Sequence, residues 1–377
     1  MVRTAESQQI IQHSAWIEVR LDRLIKNLNA IRRICRPSTE VMAVVKANGY
    51  GHGILEIARA LDGNVAYFGV SSLAEALKLR ESKFESPVFI LSRILKDELP
   101  LALTEGITLT VSSVEEAKEI SEQSQALKRR SPIHIKVDTG MGRLGIPFSD
   151  AVKAIEAIAA LPALELEGIY THFPTAERED GFIERQVRDF GLIVQALDHK
   201  GIRFKYRHGA NSAGCVKVHS PIFNMVRPGL MLYGIYPDPS LESDIALSGI
   251  LSLKTKIISV KHAKAGQTVG YGRDFVASTP TTIGLVPLGY SQGYPFKASN
   301  RASVLLDGKR FPLAGRVSMD YLAVDFGNHS VQIGDTVTLI GEDGDDSIRV
   351  EELASWADTI PYEVVTRLAT HLPRYHG

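Results

Sequence analysis

Short β-branched runs alternate with amphipathic stretches over about the first two-thirds of the chain. The runs end near Val41–Val45, Tyr67–Val70, Val88–Leu91, Ile107–Val111, Ile133–Val137, Leu166–Tyr170, Phe204–Tyr206 and Met225–Arg227. Between them apolar residues recur at helical spacing. Gly53–Leu61 places Ile54, Ile57, Ala58 and Leu61 on one face, and Ala151–Leu161 and Phe182–Leu197 are similar. Alternation of strand and helix predicts parallel strands joined by crossover helices. About eight such units in roughly 240 residues predict a (β/α)8 barrel. The alternative is an open doubly wound sheet. It calls for a glycine-rich phosphate turn after an early strand, and no G-x-G-x-x-G stands there.

After about Ser243 the texture changes. Ile250–Val260 is one long alternating run, and Thr281–Pro287, Ala302–Leu306, Phe311–Leu313, Tyr321–Phe326 and Asp335–Ile340 also read as strands. Asp307-Gly308 separates two of them and predicts a type I′ hairpin turn. Only Val350–Ala357 and Tyr362–Ala369 read as helices. The expected organisation is a barrel domain over residues 1–243 and a mostly β domain over residues 244–377.

Composition narrows the function classes. Lys and Arg total 43, Asp and Glu total 43, and the net charge is zero, so binding to nucleic acid through bulk positive charge is not expected. Two cysteines, Cys35 and Cys215, imply no disulfide framework. No apolar run approaches the ~20 residues of a membrane helix, and Met1–Ser14 is polar with no apolar signal core. These features predict a cytoplasmic protein with neither membrane nor nucleic acid as partner.

In such barrels reactive groups gather at the C-terminal ends of the strands. The first strand runs into Lys46, followed by Ala47-Asn48-Gly49-Tyr50-Gly51-His52-Gly53. A lysine at the end of a buried strand is paired, neutral or covalently modified, and a lowered pKa suits Schiff-base chemistry. A rim lysine reaching solvent is the alternative. The fifth strand ends Lys136-Val137-Asp138, and Arg143 follows between glycines. That arginine can fork onto a carboxylate or phosphate, or pair with Asp138. His172 ends the sixth strand, either as a functional group or as a satisfied core histidine. Small residues from His208 to Gly214 offer an anion cradle or an ordinary helix cap at Asn211 or Ser212. Arg227 precedes Pro228-Gly229 at the eighth strand. One lysine, two arginines, a histidine and a cradle on one rim suit a phosphorylated cofactor beside a reactive amine. No metal is expected, since His52, His172 and His208 lack carboxylate or cysteine companions at ligand spacing.

The segment Ala43 to Gly53 resembles the pyridoxal-phosphate attachment segment of alanine racemases. Further segments follow in the family's order: Lys136–Gly145, Thr171–Phe173, Ala210–Ala213, Val226–Gly229, Tyr271-Gly272, Gly315–Asp320 and Pro361–Glu363. The resemblance runs from about Trp16 to about Pro373. It implies a homodimeric, pyridoxal-phosphate-dependent enzyme that interconverts L- and D-alanine and supplies D-alanine for peptidoglycan. It implies that Lys46 carries the cofactor. Tyr50, Ser212 and Tyr362, within the segments that include Asn211, hold the phosphate, with backbone N–H groups near Gly229 and Leu230. Arg227 faces the pyridine nitrogen, supported by His172. Arg143 sits by the substrate carboxylate, and Lys136 matches a position carbamylated in some relatives. Tyr271 and Met319 enter from the partner subunit.

Racemisation removes the α-proton from one face and returns one to the other, so two bases are needed. By the family pattern Lys46 serves the D-enantiomer and Tyr271 the L-enantiomer. An arginine at the ring nitrogen makes the ring a poorer electron sink than a carboxylate would, which limits transamination. The chain departs from the commoner pattern at Gly209, Arg273-Asp274-Phe275, Ser291-Gln292 and Ser318. Tyr290 is expected near the entrance or in the domain interface. The rivals are a serine or broad-range racemase, an amino-acid decarboxylase, and a non-enzymatic cofactor-binding protein on the same barrel.

Overall fold

A computed structural model describes residues 14–377, so all but the last residue of the polar stretch Met1–Ser14 lies outside the described residues. Eight parallel strands close into a barrel: Glu40–Val44, Tyr67–Val70, Val88–Ile90, Thr108–Val111, Ser131–Asp138, Leu164–Tyr170, Tyr206–His208 and Met225–Val226. Each pairs with the next, and closure comes where Met225 of the last stands opposite Glu40 of the first. The strands are short and apolar because both faces are covered. Val41, Met42, Ala43 and Val44, for example, are all buried. Helices wrap the outside, and their buried positions follow the predicted faces. Ile54–Leu61 buries Ile54, Ile57, Ala58 and Leu61, and Phe182–His199 buries Ile183, Phe190, Ile193, Val194 and Leu197.

The second part is built of sheets. One sheet runs in the order Lys309–Pro312, Ser303–Leu306, Thr336–Asp343, Leu251–Lys256, Ala15–Val19 and Arg374–His376. The division at residue 243 follows chain order, but this sheet takes a strand from the N-terminal end. Ala15–Val19 lies antiparallel to Leu251–Lys256 and parallel to Arg374–His376. The strand at Ala15–Val19 and the helix Leu21–Ile34 had no counterpart in the sequence pattern. The long run Ile250–Val260 is not one strand. It divides into Leu251–Lys256 and Ser259–Ala263, which belong to different sheets. The chain changes sheets between them, where Ile257 N–H goes to Asp335 O and Ile258 N–H to Leu285 O. Alternation alone cannot mark that crossing. The turn at Asp307-Gly308 has φ of 52° and 70°, the left-handed pair that type I′ requires.

Candidate active site

Lys46 stands directly after the first barrel strand, at the start of an unusual turn. Ala47, Asn48, Gly49 and Tyr50 all have φ between 51° and 61°. Three of these four are residues with side chains held in the left-handed region. Each such residue costs about 1–2 kcal/mol, so the turn needs outside support. Glu75 accepts the Ala47 N–H. Asn48 Oδ1 accepts the Ile54 N–H at 3.1 Å and so caps the next helix. His52 Nδ1 lies 3.0 Å from Gly49 O and 2.8 Å from Tyr50 O, which assigns its proton to Nδ1. The strained turn is the kind that persists at functional sites.

The turn brings Lys46 into a cavity of about 400 Å³ at the C-terminal mouth of the barrel. Lys136, Arg143, His172, Asn211, Ser212, Arg227, Gly229, Leu230, Tyr50 and Tyr362 line the same cavity. Four of its lining side chains are lysine or arginine, and no aspartate or glutamate is among them. Burial and then the Arg143 charge lower the pKa of Lys46, against an opposing pull from Glu75. Burial, then Arg227 and Arg143, push Lys136 down to about 8. Burial, with Arg227 the largest charge, brings His172 down to about 3, so its ring is neutral. Arg227 itself is brought down to about 10 by burial and remains a cation near neutral pH.

Arg227 is held through both terminal nitrogens. Its Nη2 donates to Thr171 O at 2.8 Å and Gly209 O at 3.1 Å, and lies 3.2 Å from His172 Nδ1. Its Nη1 lies 2.7 Å from His208 Nδ1. Arg143 makes no ion pair with Asp138. That carboxylate instead accepts the N–H groups of Gly140 and Gly142, which leaves the Arg143 guanidinium for the cavity.

Of the two roles foreseen for this segment, the helix cap is the one seen. Asn211 caps the helix Ser212–Lys217, its Oδ1 accepting from Gly214 N–H at 2.9 Å. Ser212 Oγ accepts from Gly229 N–H at 3.0 Å and Met231 N–H at 3.4 Å. A Cβ at Gly229 would stand 2.5 Å from the Tyr50 hydroxyl, so only glycine lets Tyr50 close over this loop. The hydroxyl-bearing side chains Tyr50, Ser212 and Tyr362 therefore line the same cavity as the cationic wall. The departure at Gly209 has a steric reason: a side chain there would strike Phe173 and Phe223 at 2.8–2.9 Å.

Tyr271 and Met319 are not brought into this cavity. Tyr271 is 72% exposed, at the tip of a ribbon formed by Thr268–Val269 and Phe275–Val276, and Met319 is 53% exposed. Tyr290 is also exposed, with its ring edge-on to Phe296. Sequence reasoning missed Glu75, which left no signal in the pattern. It also missed Tyr170, whose ring lies 5.3 Å from Lys136 Nζ and 5.2 Å from the Arg227 guanidinium carbon. The signal for Tyr170 was its place two residues before His172.

The comparisons agree over nearly the whole chain. The family model for the N-terminal domain of alanine racemase matches residues 19–237, and that for the C-terminal domain matches residues 250–376. The alanine racemase of Desulforamulus reducens is 39% identical over 366 residues, which span 96% of this chain and 98% of that protein. That of Carboxydothermus hydrogenoformans is 40% identical over 365 residues, spanning 96% and 99%. The solved alanine racemase of Clostridium difficile 630 superposes with a TM-score of 0.92 at 31% identity, covering 97% of this chain and 96% of that one. The Bacillus anthracis enzyme with bound L-Ala-P gives 0.88 at 32% identity, covering 97% and 95%. With two family models and a full-length barrel-plus-β architecture in agreement, the chain belongs to the alanine racemase family.

Proposed function

We propose that this protein interconverts L- and D-alanine using pyridoxal 5'-phosphate held in the barrel mouth, and that it works as a homodimer with shared sites. The observation that carries the reading is the cavity wall: the Lys46 amine and three further lysine or arginine side chains, with no carboxylate among the lining residues. It suits a ligand bearing both a phosphate and a carboxylate. Bound there, pyridoxal phosphate would supply an aldehyde for amines and a ring that draws electrons from the substrate's α-carbon. Lys46 holds the cofactor and moves the proton on one face of the substrate. Tyr271 of the partner subunit moves it on the other. Ser212, Tyr50 and Tyr362 hold the phosphate, with the backbone at Gly229 and Leu230, while Asn211 fixes the segment that presents Ser212. Arg227, steadied by His172, donates to the ring nitrogen. Arg143 takes the substrate carboxylate, and Met319 lines the site from the partner.

Lys136 is the candidate for carbamylation. An amine at about 8 is partly neutral near neutral pH, the form that adds carbon dioxide, and the resulting anion would face Arg143. The reading extends to D-alanine supply for peptidoglycan from a cytoplasmic enzyme. The free thiols Cys35 and Cys215 suit a reducing compartment.

The test uses purified protein, its absorbance near ~420 nm, and L-alanine or L-serine supplied separately. The band with fast D-alanine and slow D-serine is the expected result, and comparable rates mark a broad-range racemase. Tyr271→Phe should keep the band and lose activity by ~100-fold or more. A band without turnover in the parent protein defeats the reading.

A further inference from the structure

The interiors of (β/α)8 barrels are usually filled by layers of branched apolar side chains. Here a line of polar groups crosses the interior from the cavity to the opposite end. Arg227 Nη1 lies 2.7 Å from His208 Nδ1, and His208 Nε2 lies 2.8 Å from His134 Nδ1. His134 Nε2 lies 3.6 Å from Glu167 Oε2 and has no nearer hydrogen-bond partner among the described residues. Both rings are wholly buried. Glu167 also accepts from the Tyr67 hydroxyl, and from Lys205 Nζ at 3.3 Å on the exposed side.

The direction of the line follows from its first member. A guanidinium only donates, so His208 Nδ1 accepts and carries no proton. The His208 proton then sits on Nε2 and goes to His134 Nδ1. That leaves the His134 proton on Nε2, facing the carboxylate. One tautomer of each ring satisfies both hydrogen bonds of the line and turns the last N–H toward the carboxylate, 3.6 Å away.

Two backbone devices serve the far end. The pairing of the fifth and sixth strands slips at one point: Ile133 faces Leu166 but His134 faces Gly168. Glu167 is the extra residue of that bulge, and bulges re-aim side chains. A Cβ at Gly168 would stand 2.6 Å from the His134 ring, so only glycine leaves room for the ring.

We propose that Glu167 and His134 are positioning residues for Arg227. Acting through His208, they hold its Nη1 donor in place and give the buried cation its counter-charge. A carboxylate in direct contact would put a negative charge into the cavity; two neutral rings in between keep the cavity wall cationic. The proposal rests on the reading that Arg227 faces the cofactor ring.

Three variants of the full-length holoenzyme test it. Glu167→Gln keeps size and an acceptor but removes the charge. His134→Phe removes the link and fills its volume. Arg227→Lys tests the underlying reading. The readouts are the dissociation constant of pyridoxal phosphate, the number of racemisation turnovers per pyridoxamine phosphate formed, kcat, KM and Tm. Glu167→Gln and His134→Phe should lower kcat and turnovers per side product by roughly tenfold, the value of a hydrogen bond to a charged group. KM should stay within about twofold, because the carboxylate contact at Arg143 is untouched. Arg227→Lys should move the same quantities further in the same direction. If both relay variants keep the partition ratio and cofactor affinity of the parent, whatever their Tm, the proposal is overturned and the line is merely structural. If Arg227→Lys also changes neither, the placement of Arg227 at the ring is itself wrong.

Discussion

His52 shows how one residue ties sequence to site. It is wholly buried, stacks on Tyr233 at 4.5 Å, and gives its Nδ1 proton to the carbonyls of the turn that follows Lys46. Its Nε2 has no partner among the described residues, so a second proton would leave a buried charge unpaired. Burial accordingly pushes its pKa down to about 4. The folded value lies below the unfolded one of about 6.5. The stabilisation is therefore complete above about pH 6.5 and is lost as pH falls through about 4. Denaturant midpoints measured from pH 7 to 4 should fall more steeply for the parent apoprotein than for His52→Asn. Parallel curves would refute the assignment.

At the scale of elements, the turn Ala47–Tyr50 is held against the last helix, Pro361–Arg367. Gly51 has φ of 82°, and a Cβ there would stand 2.1 Å from Val365 O. The clash is with backbone, so neither side can yield. Gly51→Ala should destabilise by about 3 kcal/mol, the sum of left-handed strain and overpacking. It should also weaken cofactor attachment, since the turn carries Lys46. Gly63 is the control: its φ is 70° but nothing lies within 4 Å of its Cβ. Gly63→Ala should cost only about 1 kcal/mol. Denaturant unfolding of the two variants checks this, and equal losses would exclude the packing term.

For the whole molecule, Tyr271 poses the question. It is exposed on its own chain, whereas Tyr362 from the same part of the fold reaches the cavity. If Tyr271 serves the partner's site, Lys46→Ala and Tyr271→Phe subunits complement each other. A heterodimer then has one site with neither change and one with both. Co-expressed variants should regain about a quarter of parental activity, since half the dimers are mixed and half their sites intact. A mixture as inactive as either variant alone would place both bases on one chain.

The barrel was legible because its evidence is local. Period-3.6 faces such as Ile54, Ile57, Ala58 and Leu61 and short β-branched runs depend on neighbours in sequence. Lys46, Arg143, His172 and Arg227 were legible as a set because strand ends of a barrel meet on one rim. The closure of the barrel, the passage of Ala15–Val19 into the second sheet and the crossing at Ile257 were decided by pairing between distant segments. The same holds for the left-handed turn, which needs Glu75 from another element, and for the line from Arg227 to Glu167. That line depends on a one-residue slip between two strands, and a slip leaves no trace in either strand's own pattern. Sequence by itself determined which chemistry was available and which elements would carry it. Tertiary structure decided which polar groups are buried together, because burial and partnership are properties of chain segments far apart in sequence.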